Sequence, residues 1–140
     1  MNIYFSCSLT GGRKDEATYG AIVAHLVARG HEVPTAHLAD PGVMALERVV
    51  DPAEVYARDM DWIRRCDALV AEVSTPSHGV GYEIAAALGL GKPVLSLYRD
   101  GAAVSKMLTG NDSPGFRALR YLTVDEALTA VDRFLEAIGR

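Results

Sequence analysis

Residues 67–98 read DALVAEVSTPSHGVGYEIAAALGLGKPVLSLY. The opening DALVAEV is a nearly continuous apolar run, as expected of a strand covered on both faces of a parallel sheet. STPSHGVG follows as a loop with two glycines, and the residues behind it read as a helix. PVLSLY, 93–98, is a further apolar strand. A strand, a helix and a strand in this order make a right-handed crossover between parallel neighbours.

The same alternation extends in both directions. NIYFSC, 2–7, reads as a first strand and SLTGGR as the turn after it. From about Lys14 to Arg29, Ala17, Ile22, Val23, Leu26 and Val27 can share one helical face, and Gly30 closes the helix. HEV, 31–33, begins a short second strand, and residues 34–50 show no element. Asp51 and Pro52 open a helix as capping aspartate and first-turn proline, and it runs to about Arg65. After PVLSLY come a loop, a short helix near Val104 to Leu108, a last strand ALRYLTV and a last helix from Asp125 to Ile138. The pattern predicts an α/β fold in three layers, doubly wound in the flavodoxin/Rossmann-like manner, with a five-stranded parallel sheet and helices on both faces. The 140 residues fit one domain, 1–140, around one core. Ligands of such folds sit beyond the carboxyl ends of the strands. That points to Ser8–Gly12, Ser74–Glu83 and Arg99–Ser105.

Composition narrows the function. A net charge of −4 provides no broad basic surface for nucleic acid or an anionic membrane, so the expected partner is a small molecule. No apolar run approaches the ~20 residues of a membrane span. The run from Ile3 is too short for a signal peptide and lacks its charged lead. Cys7 and Cys66 lie in apolar segments without a CxxC, as reduced core thiols of a cytoplasmic protein do. His25, His31, His37 and His78 are scattered without ligand spacing, so no metal and no cofactor are expected. His78 in the glycine loop and His37 in the irregular segment read first as solvent-exposed and second as pocket contacts.

The chemistry concentrates after the strands. Gly79 and Gly81 let a ligand approach the backbone at a helix start, where free N–H groups favour an anion, and Ser77 adds a hydroxyl. There is no GxxxxGK[ST], which excludes a triphosphate P-loop. Glu83 falls in the first turn of that helix, where the dipole should hold its pKa low, as suits a nucleophile or an electrostatic stabiliser. A glutamate that merely decorates a helix start is the plainer alternative. Asp59, Ile63 and Cys66 share one helical stripe, while Asp61 is turned away. Burial on the apolar side would raise the pKa of Asp59 and let it carry a proton. One charged and one protonated carboxyl is the pair that glycosidic bond cleavage uses. Tyr4, near the rim of the first strand, is either a core aromatic or a phenol that orients a carboxylate.

These segments, taken together and in order, resemble the 2'-deoxynucleoside 5'-monophosphate N-hydrolases, within the nucleoside 2-deoxyribosyltransferase superfamily. The resemblance rests on YFSCSLTGGRKDEATY, on DMDW followed by CDALVAEVSTPSHGVGYEIAAALGLGKPVL, and on AVSKM. It implies that Glu83 attacks the anomeric carbon of a deoxyribose. It further implies that Asp59 positions that nucleophile and helps protonate the leaving base, and that Tyr4 contacts the catalytic carboxylate. Ser77 and Gly79, with Gly81 beside them, match ligands of a 5'-phosphate, and Ser8, Leu9, Thr10 and Gly11 form the substrate-facing glycine loop. Ser105 matches a phosphate-contacting serine given by the neighbouring subunit, which implies a homodimer with shared active sites. Two positions depart from the pattern. Thr10 stands where an arginine is familiar, and Cys7 where a glycine is usual, so base preference does not carry over.

The implied reaction is a retaining double displacement through an oxocarbenium-like state. Three other readings share these residues. A nucleoside 2-deoxyribosyltransferase would pass the sugar to another base, but EAIGR does not resemble the polar tail of such enzymes. A ribonucleotide N-glycosidase of the CMP type differs in its sugar. A non-catalytic nucleotide-binding sensor would need only the phosphate loop.

Overall fold

The computed structural model describes residues 1–139. Four strands, β1 (Ile3–Ser6), β2 (Ala68–Glu72), β3 (Val94–Arg99) and β4 (Phe116–Tyr121), form one parallel sheet in the order β1-β2-β3-β4. Six helices accompany it: α1 (Glu16–Ala28), α2 (Val43–Glu47), α3 (Pro52–Arg65), α4 (His78–Gly89), α5 (Lys106–Thr109) and α6 (Val124–Ile138).

Alternation along β1 sorts the core into two layers. Ile3 and Phe5 pack with Tyr19, Ile22 and Leu26 of α1 and Val131 and Leu135 of α6. Tyr4 faces the other way, into a cluster with Ile63 of α3 and Val80, Ile84 and Ala87 of α4. β2 is buried along its whole length, which is why its sequence is apolar without alternation.

The expected five strands become four. HEV contributes only one parallel bridge, Asn2 to Glu32, on the free edge of β1. Ile3 N donates to the Glu32 carbonyl at 2.8 Å, and Glu32 N to that of Met1 at 2.9 Å. Pro34 then has no N–H to continue the ladder, and the Thr35 hydroxyl accepts from Phe5 N at 2.9 Å instead. Residues 34–50, read as irregular, hold a short 3-10 turn at Ala36–Ala39 and then α2. The last strand begins at Phe116, two residues before ALRYLTV, and ends at Tyr121.

The reduced strand still defines the winding. The chain leaves β1 through α1 toward residue 32 on one side. It returns through α3 to β2 on the other side. Strand order therefore reverses at β1, and the crevice for a ligand opens above the carboxyl ends of β1 and β2. Capping side chains place the helices around it: Asp51 Oδ1 accepts from Ala53 N at 2.8 Å to start α3, and Ser77 Oγ from Val80 N at 3.4 Å to start α4.

Candidate active site

Tyr4 and Ser6 stand two residues apart on β1 and so share the face beneath α3 and α4. Both are buried, Ser6 to 1% exposure. Glu83 comes down from α4, and its Oε2 accepts a hydrogen bond from Ser6 Oγ at 2.5 Å. The Tyr4 hydroxyl has no hydrogen-bond partner of normal geometry, although Glu83 and Tyr4 are close enough to influence each other's protonation. Burial, followed by the charge of Glu83, holds this phenol protonated well above its ordinary range.

The expected low pKa of Glu83 is corrected by its position. It is the sixth residue of α4, past the first turn in which the unpaired N–H groups act. Burial pushes its carboxyl up to about 7. The charge of Asp59 adds to the rise, and Ser6, Tyr4 and the Arg58 guanidinium oppose it.

Asp59 lies on α3 with its side chain 15% exposed. It accepts from Arg58 Nε at 2.8 Å, and Arg58 Nη1 also donates to Glu47 Oε1 of α2 at 3.2 Å. The guanidinium carbon sits 4.9 Å from the centre of the Trp62 ring. Burial raises the pKa of Asp59, and the bond from Arg58 works against that rise. His37, read first as solvent-exposed and second as a pocket contact, is half-buried: it packs edge-on to Trp62 and lies 3.5 Å from Glu47. Asp61 points outward and pairs with Arg65.

Two cavities flank the start of α4. The first, about 730 Å³, is lined by Glu83, Asp59, Gly79, Leu9, Thr10 and His78 among others, with Met44, Val55 and Met60 as its apolar wall. Tyr56 and Tyr82 stand at its mouth with hydroxyls 3.2 Å apart. The second, about 720 Å³, is lined by Ser77, His78, Gly81, Ser105, Thr10 and Gly11. The helix start is thus a ridge between them, with Thr10 and His78 bordering both. Neither Gly79 nor Gly81 has positive φ, and a Cβ at Gly81 would meet nothing within 4 Å. Conformation does not demand these glycines, so the space they leave is open to a ligand.

The glycine loop divides. Leu9 faces the first cavity, Gly11 the second and Thr10 both, whereas Ser8 is fully buried and its hydroxyl finds no partner among the described residues. A Cβ on Gly11 would lie 2.2 Å from the Pro76 carbonyl oxygen, so glycine alone lets this loop close against residues 74–77. Ser105 lines the same cavity as Ser77 of its own chain, and its hydroxyl accepts from Met107 N at 3.2 Å.

Two groups escaped the sequence reading. Ser6 had a period-of-two signal, since it follows Tyr4 on one strand face. Glu72 had another, an acid inside an apolar strand. It is fully buried, accepts from Ser74 Oγ and from Tyr121 OH at 3.0 Å, and burial raises its pKa. Ser74 Oγ in turn accepts from Arg99 N at 2.7 Å, and Arg99 Nε and Thr75 Oγ1 each donate to Asp15 at 3.1 Å. This network anchors the loop that carries Ser77.

A doubly wound α/β fold with two partly buried carboxyls at its switch point defines the class of the molecule. The model of the nucleoside 2-deoxyribosyltransferase family matches residues 3–127, and the chain belongs to that family. The chain is similar to the rat 5-hydroxymethyl-dUMP N-hydrolase, with 39% identity covering 97% of this chain and 85% of that one. It is 44% identical to a Syntrophotalea carbinolica protein provisionally named 2'-deoxynucleoside 5'-phosphate N-hydrolase 1, covering 90% of this chain and 88% of that one. Among solved structures, the Clostridium botulinum CMP N-glycosidase BcmB superposes with a TM-score of 0.71 at 20% identity, covering 96% of this chain and all of that one, a likeness of fold.

Proposed function

We propose that this chain, as one nucleoside 2-deoxyribosyltransferase-like domain, hydrolyses the N-glycosidic bond of 2'-deoxynucleoside 5'-monophosphates. The products are the free base and 2-deoxyribose 5-phosphate. The observation that carries the reading is Glu83, partly buried beside Asp59 in a cavity that ends at the open start of α4. The names of the relatives support it.

In this mechanism a Glu83 oxygen attacks C1' as the bond from C1' to the base nitrogen breaks, and the electron pair leaves on the base. Asp59 supplies a proton to that nitrogen. Water then attacks C1' and gives a proton to the Asp59 carboxylate, the ester to Glu83 breaks, and the sugar is released with retained configuration. The absent 2'-hydroxyl makes the cationic transition state easier to form. Ser77 and the backbone at Gly79 and Gly81 bind the 5'-phosphate, and Tyr4 orients Glu83. The substrate is a small nucleotide rather than a nucleic acid, no membrane takes part, no metal or cofactor is needed, and the enzyme works in the cytoplasm.

The test is a panel of deoxynucleotides, ribonucleotides and unphosphorylated nucleosides, with free base measured by chromatography. Release from deoxynucleoside monophosphates is expected to dominate. Equal rates for nucleosides would refute the phosphate assignment. Preference for ribonucleotides would favour the CMP-type reaction, transfer to an added base would reveal a transferase, and binding without base release would reveal a sensor.

The working unit in this proposal is a homodimer in which Ser105 contacts the phosphate bound by its neighbour. Met107, two residues on, is 82% exposed and available to an interface. Because Ser105 also shares a cavity with Ser77 of its own chain, subunit exchange decides the arrangement. Mixing Ser105→Ala with Glu83→Ala chains should restore about half of wild-type activity per mixed dimer, since one site then holds both defects and the other neither. No gain above the Ser105→Ala level means that Ser105 acts within its own chain.

A further inference from the structure

Ser6 is held where it cannot reach a ligand. It is 1% exposed, lines neither cavity, and lies on β1 under the carboxyl of Glu83. Its hydroxyl is nevertheless spent on that one side chain, with Oγ 2.5 Å from Oε2. The other side-chain hydroxyl on this face of β1, Tyr4, makes no aligned hydrogen bond. A glutamate has three side-chain torsions, and a nucleophile gains rate only when its attacking oxygen is already in place.

We propose that Ser6 is the positioning residue of the nucleophile: it grips Oε2 from the sheet side, fixes the rotamer of Glu83, and leaves Oε1 to meet C1'. The inference rests on the reading of Glu83 as nucleophile. A donor to a carboxylate also favours its charged form. The other charged or titratable groups acting on Glu83 are Tyr4 of β1 and Asp59 and Arg58 of α3; the Cys7 thiol, on the opposite face just beyond β1, feels the charge of Glu83 and is itself pushed up by burial. From the sheet side Ser6 and Tyr4 both favour the carboxylate, and of the two only Ser6 forms a hydrogen bond to it.

The experiment is steady-state kinetics of Ser6→Ala and Ser6→Cys across pH, with thermal melting as a folding control. Ser6→Ala is expected to lower kcat roughly ten- to a hundredfold, the worth of a hydrogen bond to a charged group, with KM nearly unchanged. Its acid limb should move to higher pH by about one unit, because the carboxylate has lost a donor. Ser6→Cys, close in shape but a weak donor, should shift the limb the same way by less. A purely structural serine would lower the melting temperature and leave the acid limb in place, and that result overturns the proposal. A limb that moves to lower pH overturns it as well. If Ser6→Ala does not fold, Ser6→Cys decides by the same limb. Glu83→Ala assayed alongside separates the two ideas: a working Glu83→Ala enzyme removes the nucleophile reading itself, whereas an inactive one beside unaffected Ser6 variants removes only this inference.

Discussion

Glu83→Ala should lose roughly 10³- to 10⁵-fold in kcat while remaining folded, the range seen when a group acting on the reacting centre is removed. The expectation follows from position. Glu83 is the carboxyl that reaches the floor of the cavity from α4, held by Ser6 and facing Tyr4, with Asp59 across from it. Near-normal turnover in the variant would end its role. The pH dependence has a definite sign. The nucleophile must be ionised, and burial pushes its pKa up to about 7, so kcat/KM should rise with pH through that value. A helix-start glutamate of ordinary acidity would instead give a limb near pH 4 to 5, roughly its unperturbed value.

The same burial has a cost in stability. A carboxyl whose folded pKa lies above its unfolded one binds its proton more tightly in the native state, so stability falls as pH rises between the two values. The raised pKa of Glu83 therefore opposes folding by up to about 3 kcal/mol once pH exceeds 7. Glu83→Gln keeps the shape without the charge. It should melt higher than wild type at pH 8, and the gap should close below pH 5. An equal or lower melting temperature at pH 8 would show that the carboxylate is not desolvated in the folded protein.

Much of this was legible in the residues because each local signal has a local cause. DALVAEV reads as a doubly covered strand and is one, and Asp51-Pro52 and Ser77 cap the helices they precede. The Asp59, Ile63, Cys66 stripe gave the phase of α3, with Ile63 and Cys66 buried and Asp61 exposed. What failed depended on contacts distant in sequence. HEV has strand-forming residues, but Pro34 and the hydroxyl of Thr35 end its pairing after one bridge. The acidity of Glu83 was assigned from the helix alone, whereas burial and the charge of Asp59 on α3, brought near only in three dimensions, raise its pKa. For Ser6 and Glu72 the sequence offers a signal of position but not of partner. Their partners lie 77 positions away for Ser6 and 49 positions away for the Tyr121 bond of Glu72.

Asp59→Asn should lower kcat by roughly 10²- to 10⁴-fold, the contribution of a positioned general acid. Asparagine preserves the shape and can still accept from Arg58, so the ion pair of Arg58 with Glu47 should keep α2 docked on α3. What disappears is the ionisable proton. Asp61→Asn, one position past Met60 on the exposed face, removes only a surface pair with Arg65 and should stay within about twofold of wild type, because such pairs contribute little. Equal losses at the two positions would mean that the phase of α3 is wrong. The acid limb supplies an independent check. In the fraction of free enzyme whose Asp59 is ionised, its negative charge opposes ionisation of Glu83, so removing that charge should move the limb to lower pH. Ser6→Ala moves it to higher pH, because that variant removes a group that favours the carboxylate. Opposite displacements from two single-site changes cannot come from general loosening of the fold, which would shift both the same way. An Asp59→Asn enzyme that loses rate with an unmoved limb would place Asp59 on the leaving group alone, with no electrostatic contact to the nucleophile.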